Sequence, residues 1–389
     1  MRISFLGDIM CEKPLQKELK KGNKNITFNL KKYYNSDYVI GNLETIFAGR
    51  NRKYTRDLYS FNTPDSFCEE LKYASIDCVT TANNHCLDRG IDGLIRTSRV
   101  LKNNGIKHVG TREKQNEQSY LIVNIGGKKV GFLAYTYGTN YSLNRVKIDQ
   151  GDHYVNLLKP NDLNAVIPKG MFDKLKEKVL SKEIRVKIKR MLGWTYNHVR
   201  MDNIQPGDFD EFYINRISKD IQKLKNNVDY LFAYLHTGGQ FNLIPGSYSE
   251  KICHFFYNQG VKCVIASHPH IVQRVEPLEN GVIAYSLGNF LISPNSIYLL
   301  YENRPDLSIV LHFDIDENKI RCSFSIIKVC FIRGRTFVKD CFELYKECDS
   351  KERENIVKEC KQIYNVVFNN FEKKQFKMNK EYFITEFQL

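Results

Sequence analysis

The sequence predicts an α/β protein, and three features carry that prediction. Short apolar runs rich in β-branched and aromatic residues alternate with stretches of helical periodicity. Each run has the length of a buried strand and stops at a polar cluster. The chain has 389 residues, more than the roughly 250–300 over which one core grows, so a large domain with additions is expected.

In chain order, residues 3–6, 38–40 and 78–81 read as buried strands. They end in Gly7-Asp8, Asn42-Leu43-Glu44 and Asn83-Asn84-His85. Helical patterns over 64–72 and 91–103 lie around the third strand. Residues 120–125 and 129–135, joined by Gly126-Gly127-Lys128, read as a hairpin. A second set begins with a strand at 230–235 ending at His236. A helix over 248–259 follows, then a strand at 261–266 ending in Ser267-His268-Pro269-His270. Strand signals at 281–286 and Leu307–Ile315 come next.

A long, irregular and basic segment, about 140–227, separates the two sets. Its middle, 171–192, reads as an amphipathic helix carrying Lys174, Lys176, Lys178, Lys182, Arg185, Lys187, Lys189 and Arg190, diluted by Asp173, Glu177 and Glu183. On a helix these charges point in several directions, which reads as a solvated face. The stretch 346–380 is polar and helical in character, a docking helix or a loose tail. The expected division is one domain over 1–333, including the insertion, and an extension over 334–389.

Hydrophobic residues make up 42% and charged residues 26%, which excludes wholesale disorder. Lys and Arg outnumber Asp and Glu by 58 to 44, and the formal charge of +14 favours acidic partners. No nucleic-acid recognition motif accompanies that charge, so no specific nucleic acid is expected. The 11 cysteines are scattered and odd in number, with no Cys-x-x-Cys pair. They read as reduced thiols in the cytosol. No apolar run reaches the ~18 residues of a membrane helix, so no transmembrane segment is predicted.

In open α/β sheets ligands gather at the carboxyl ends of strands. Here strand after strand ends in groups able to bind a cation: Asp8, Glu44, Asn84-His85, His236 and His268-Pro269-His270. Singly, each has an ordinary explanation as a cap, a turn or a structural histidine. Caps and turns give no reason for carboxylate, amide and imidazole to recur at successive strand ends. Mixed oxygen and imidazole ligands suit divalent Mn, Fe or Zn. Two imidazoles one residue apart, stiffened by Pro269, can reach two neighbouring ions.

These strings resemble a known family. Gly7-Asp8, Asn42-Leu43-Glu44, Ala82-Asn83-Asn84-His85-Cys86-Leu87-Asp88-Arg89-Gly90, His236-Thr237-Gly238-Gly239, Ser267-His268-Pro269-His270 and Tyr285-Ser286-Leu287-Gly288-Asn289-Phe290 look like the ordered motifs of the CapA family, the poly-γ-glutamate capsule biosynthesis proteins. They span roughly 1–290. That family is similar to calcineurin-like metallophosphoesterases. The resemblance implies a four-layer α/β/β/α sandwich with one or two divalent ions, here with a basic helical insertion and a C-terminal helical tail. It implies that Glu44 bridges two ions, that Asp8 and His270 complete one, and that Asn84, His236 and His268 complete the other. It makes His85 a general acid or oxyanion stabiliser, with Asp88 either orienting His85 or capping the following helix.

The chain departs from the family pattern at three places. Phosphoesterases of this fold begin Asp-x-His, where this chain has Met10. The family has Glu after the His-x-Gly stretch, where this chain has Gln240. Its His-His-Pro-His is reduced to Ser267-His268-Pro269-His270. Arg50, Arg52, Lys53 and Arg56 follow the Glu44 motif closely, and guanidinium groups pair well with carboxylates and phosphates. Arg50, Arg52 and Arg56 are therefore candidate substrate contacts, with a solvated loop as the alternative.

The leading expectation is a CapA-type metal-dependent hydrolase that acts on or handles an anionic polymer, a poly-γ-glutamyl or cell-envelope chain. A non-catalytic, metal-holding polymer-binding factor in a capsule biosynthesis complex is the alternative from another class. A general phosphoesterase for phosphorylated substrates is the third. Met10 and Gln240 favour the binding factor, and the intact Asn84-His85 pair favours a hydrolase.

Overall fold

The computed structural model describes residues 1–55, 60–161, 184, 188, 191–192, 202–296, 303–317, 319–369 and 376–388. The fold is mixed α/β, with two sheets. In the first, strands run in the order β14 (Arg335–Asp340), β13 (Lys319–Ile332), β12 (Leu307–Ile315), β1 (Arg2–Ile9), β2 (Tyr38–Leu43), β3 (Cys78–Thr80), β4 (Lys107–Val109). Two short partners lie off this path: β11 (Asn289–Leu291) pairs with β1, and β15 (Tyr382–Gln388) pairs with β13. The second sheet has the order β5 (Tyr120–Ile125), β6 (Lys128–Thr136), β7 (Tyr230–His236), β8 (Cys263–Ser267), β10 (Gly281–Ala284), β9 (Val275–Leu278).

Period-two patterning explains how the sheets are covered. Along β1 and β2, Phe5, Tyr38 and Ile40 enter a core shared by both sheets, while Leu6 and Val39 enter a second cluster, joined by Ile9 beyond a register shift in β1. That second cluster also holds Leu15 of α1 (Lys13–Lys20), Leu30 and Tyr34 of α2 (Leu30–Tyr34), Phe67 and Leu71 of α3 (Phe67–Tyr73) and Leu101 of α4 (Gly90–Asn103). In the second sheet, Phe232 and Ile265 join the shared core, and Ala233, Leu235 and Val264 join a third cluster. Phe5 and Phe232 meet across the sheets with ring centroids 5.2 Å apart. The Tyr234 hydroxyl donates to the Leu6 carbonyl at 2.7 Å, fixing the sheets together two residues before Asp8.

The predicted strands and helices before residue 140 and from 230 to 315 are all present, Tyr120–Ile125 and Leu307–Ile315 with the expected bounds and the others with shifted ends. Past its predicted end, β1 runs on through Asp8 to Ile9. Asp8 therefore lies inside a strand, not after one, because it pairs with Asn42 on one side and Asn289 on the other. Ala or any larger residue cannot replace Gly7, since a Cβ there would lie 1.8 Å from the Gly288 carbonyl oxygen. Gly288 has its own requirement, a φ of 79° with Ser308 only 3.0 Å from where a Cβ would lie.

The segment 140–227 is not irregular throughout. A short helix, α5 (Tyr141–Asn144), opens it, and α6 (Glu211–Lys225) closes it. Ile217, Ile221 and Leu224 recur at helical spacing and enter the third cluster beside Ile252 and Phe256 of α7 (Ser247–Asn258). Most of the basic stretch 171–192 lies outside the described residues; its described positions, 184, 188, 191 and 192, are exposed.

The C-terminal stretch resolves in favour of docking. After α8 (Cys341–Glu347), α9 (Ser350–Val367) buries Ile356, Cys360, Ile363 and Val367 in the shared core. The chain then returns as β15, a strand rather than more helical tail. Arg2 clasps this end to β1: it donates to Asp314 at 2.6 Å and to Glu381 at 3.0 Å.

Candidate metal centre

The carboxyl ends of β1, β2, β7 and β8 converge, so both sheets contribute to one buried cluster. Sheet register does much of the placing. Asn42 lies opposite both Asp8 and Thr80, and His236 lies opposite Ser267. Glu44, just past β2, is tied by its N–H to the Ile9 carbonyl at 3.0 Å. His268 and His270 both have positive φ, 113° and 60°, uncommon outside glycine. Such backbone strain at a loop between two strands is a feature of functional sites.

Glu44 is central. One of its oxygens, Oε1, lies 3.7 Å from His236 Nε2, 3.7 Å from His270 Nε2 and 3.8 Å from His85 Nε2. Its side chain is fully buried, yet neither carboxylate oxygen has a hydrogen-bond partner. Burial, then the charges of Asp8 and Asp88, push this carboxyl well above the usual range. Burial and the neighbouring His268, His270 and His85 push His236 well below the usual range. Both directions penalise bare charge, and a cation among these groups would remove the penalty on Glu44.

Two sets of three side chains offer ligand atoms mutually within 4.8 Å: Asp8, Glu44 and His270, and Glu44, His236 and His268. Glu44 belongs to both. The donor set of carboxylate oxygens and imidazole nitrogens fits Mn, Fe or Zn. The unpartnered Glu44 oxygens and the unpartnered His270 Nε2 are the orphaned buried atoms that a divalent ion would satisfy. Asn84 stands beside the second set, its Oδ1 2.9 Å from His236 Nε2.

His85 sits at the edge of this cluster. Its Nδ1 is 2.7 Å from Asp88 Oδ2, and Phe61 packs on its ring with centroids 4.3 Å apart. Asp88 also accepts from the Phe61 N–H at 2.6 Å. The residue before α4 is Arg89, and no side chain caps that helix. Among the two roles expected for Asp88, the geometry therefore supports orientation of His85.

Met10 is buried with Phe61, Phe241, Ile271 and Ile292 in a small apolar cluster of its own. Two of these rings flank the centre, Phe61 against His85 and Phe241 5.9 Å from His270. Arg50 and Arg52 form a short 3-10 turn with exposed side chains, and Arg52 pairs with Asp92 at 2.6 Å. With Arg96 they line a pocket of about 340 Å³. Among the described residues, no hydrogen bond or ion pair connects Arg50 or Arg52 to the histidine cluster. Arg56 lies outside the described residues.

Several contributors had no clear sequence signal as site residues. Asn42 donates to Asp8 Oδ1 at 2.8 Å and lies 3.2 Å from His236 Nδ1. Asn140, from the start of the inserted segment, accepts from Asn84 Nδ2 at 3.3 Å. Tyr137 packs on His268 with centroids 4.8 Å apart. Only Asn42 and Asn289, inside the quoted strings, could have been flagged beforehand.

The family described as "Bacterial capsule synthesis protein PGA_cap" matches residues 2–294. The capsule biosynthesis protein CapA of Bacillus anthracis is 21% identical over 300 residues, covering 75% of this chain and 59% of that protein. The PGA biosynthesis protein CapA of Bacillus subtilis (strain 168) is 25% identical over 291 residues, covering 74% and 62%. This chain's matches thus span about six-tenths of the length of those relatives. Among solved structures, TT1561 of Thermus thermophilus aligns at 10% identity over 80% of this chain and 93% of that chain, with a TM-score of 0.35. A score of that size does not establish a shared fold.

Proposed function

From the premise that this chain belongs to the bacterial capsule synthesis protein family PGA_cap, we propose that it is a divalent-metal-dependent hydrolase acting on an anionic polymer of the poly-γ-glutamate or cell-envelope kind. One observation carries the reading: a fully buried Glu44, unpartnered at both oxygens, shared by two sets of ligand-bearing side chains. Asp8, Glu44 and His270 would hold one ion, and Glu44, His236, His268 and Asn84 the other. The ions would supply Lewis acidity and water activation. The proposed architecture around them is the four-layer calcineurin-like sandwich, with 1–333 as the principal domain.

The chain's own residues would then divide the remaining work. His85 is proposed as proton donor or oxyanion stabiliser, held in orientation by Asp88 and by the Phe61 ring. Asn84, held between Asn140 and His236, would keep its carbonyl oxygen directed at the centre. Arg50, Arg52 and Arg56 are proposed to meet the polymer's negative charge away from the reacting group. A cytosolic location rests on the eleven unpaired thiols alone.

Met10 supports a second reading, a metal-holding polymer-binding factor within a capsule biosynthesis complex. Its apolar surroundings stand where phosphoesterases of this fold have an imidazole. Hydrolysis of a chromogenic phosphodiester and of a poly-γ-glutamyl chain, each with added Mn, separates the two. The hydrolase reading requires turnover of at least one that falls by ~10²-fold or more in His85→Asn at unchanged metal content. Metal uptake and polymer binding without turnover of either substrate would instead support the binding factor.

A further inference from the structure

The amide of Asn289 faces two groups that admit one orientation only. Its Nδ2 donates to the backbone carbonyls of His270 and Pro305, at 2.9 Å and 3.0 Å. A carbonyl cannot donate, so the amide cannot be reversed without losing both bonds. Its Oδ1 must then face His270 Nδ1, 3.0 Å away. An amide oxygen only accepts, so the proton of the neutral ring must sit on Nδ1.

This leaves Nε2 as the lone-pair nitrogen. Nε2 is the atom that lies 3.7 Å from Glu44 Oε1, and it is buried with no hydrogen-bond partner. Asn289 also holds the backbone of His270, whose φ of 60° is uncommon outside glycine. Asn289 itself is fully buried, and its main chain pairs with Asp8 in register. One residue therefore fixes the position of both other members of the Asp8, Glu44, His270 set.

His236 offers a contrast within the same cluster. Its Nδ1 lies between the Asn42 amide nitrogen at 3.2 Å and the Ser267 hydroxyl at 3.3 Å. Its Nε2 faces the Asn84 amide oxygen at 2.9 Å, so the same rule places the proton of this ring on Nε2, and Nδ1 accepts from Asn42.

We infer that Asn289 is a positioning residue that presets His270 in its Nδ1–H tautomer and directs Nε2 at Glu44, so that the Asp8 side of the centre is organised for a cation before any cation arrives. Groups that hydrogen-bond the far nitrogen of a ligating histidine have this effect, and their loss costs about 10–100-fold in metal affinity. The inference rests on the metal-binding reading for its purpose. Its test does not, because the tautomer can be read in metal-free protein.

The experiment is nitrogen–proton correlation spectroscopy of the imidazoles in ¹⁵N-histidine-labelled, metal-free protein at alkaline pH, with His270 identified by the signal missing from His270→Asn. The expected wild-type result is a proton on Nδ1 of His270, protected from solvent exchange. In Asn289→Ala that protection is lost while the His236 and His268 ring signals stay in place, and Mn affinity for one ion falls by about 10–100-fold. A wild-type His270 protonated on Nε2 overturns the inference, and so do His270 ring signals unchanged by Asn289→Ala. If that variant does not fold, the wild-type tautomer decides alone. Absence of metal uptake by wild type would remove the hydrolase and binding-factor readings and leave the tautomer result to stand or fall separately.

Discussion

His85 and Phe61 are joined through a single carboxylate oxygen: Asp88 Oδ2 accepts the Phe61 N–H at 2.6 Å and lies 2.7 Å from His85 Nδ1. The Phe61 ring then covers the imidazole it helps to orient, at 4.3 Å between centroids. Phe61 also packs with Met10, so the position that departs from the phosphoesterase pattern and the proposed proton donor share an apolar neighbour.

The Asp88 contact predicts that Asp88→Asn affects turnover more than metal binding. An amide with its oxygen in the Oδ2 place can keep both contacts but carries no charge, so it holds the His85 ring less strongly. Metal content should match wild type, while the rate should fall by about 10²-fold. Elemental analysis paired with initial rates checks this, and a loss of metal in Asp88→Asn would make Asp88 part of the ligand shell.

Glu44→Gln should uncouple stability from metal binding. Without a cation, an unpartnered buried carboxylate costs more than a neutral amide of the same size. Metal uptake should largely disappear, and more completely than in Asp8→Asn, because Glu44 belongs to both ligand sets. The metal-free variant should melt no lower than metal-free wild type. Equal uptake by Glu44→Gln and wild type would sink the shared-ligand role.

Met10→His places an imidazole among Phe61, Phe241, Ile271 and Ile292. Burying an unpaired polar ring costs about 1–3 kcal/mol, so the metal-free protein should melt lower than wild type. If the ring reaches the Asp8 side, Mn should recover more stability in Met10→His than in wild type. Melting curves with and without Mn measure both effects, and an equal Mn shift in the two proteins would show that position 10 faces away from the centre.

Glu12 gives a pH dependence independent of the metal. It is buried and accepts from the Ser293 N–H at 2.6 Å and the Ser296 hydroxyl at 2.5 Å. Burial raises its carboxyl from the ordinary 4.5 to about 7. The folded state therefore holds the proton more tightly than the unfolded chain. Its contribution is most favourable below the unfolded value and is lost as pH rises from there through about 7, with a ceiling of about 3 kcal/mol. Glu12→Gln should remove this slope, so its stability relative to wild type should increase between pH 5 and pH 8. Parallel denaturation curves for the two proteins across that range would exclude the effect.

The sequence by itself determined the strand-and-helix alternation and the ligand types at successive strand ends, because period-two and helical patterns are local and Asp, Asn, Glu and His stand out against them. It identified Asp8, Glu44, Asn84, His85, His236, His268 and His270, which the tertiary structure gathers in one buried cluster. It could not place Asp8 inside β1, since that depends on pairing with Asn289, 281 positions away in the chain. It gave no signal for β15, whose pairing with β13 closes the far end of the first sheet. It set Arg50 and Arg52 near Glu44 in the chain, but folding turns them onto a surface pocket with Asp92 and Arg96. Only the tertiary structure decided which nitrogen of His270 faces Glu44, because that choice is made by a hydrogen bond from a residue on another strand. Local patterning selects elements, whereas register, burial and amide orientation are settled by contacts between distant parts of the chain.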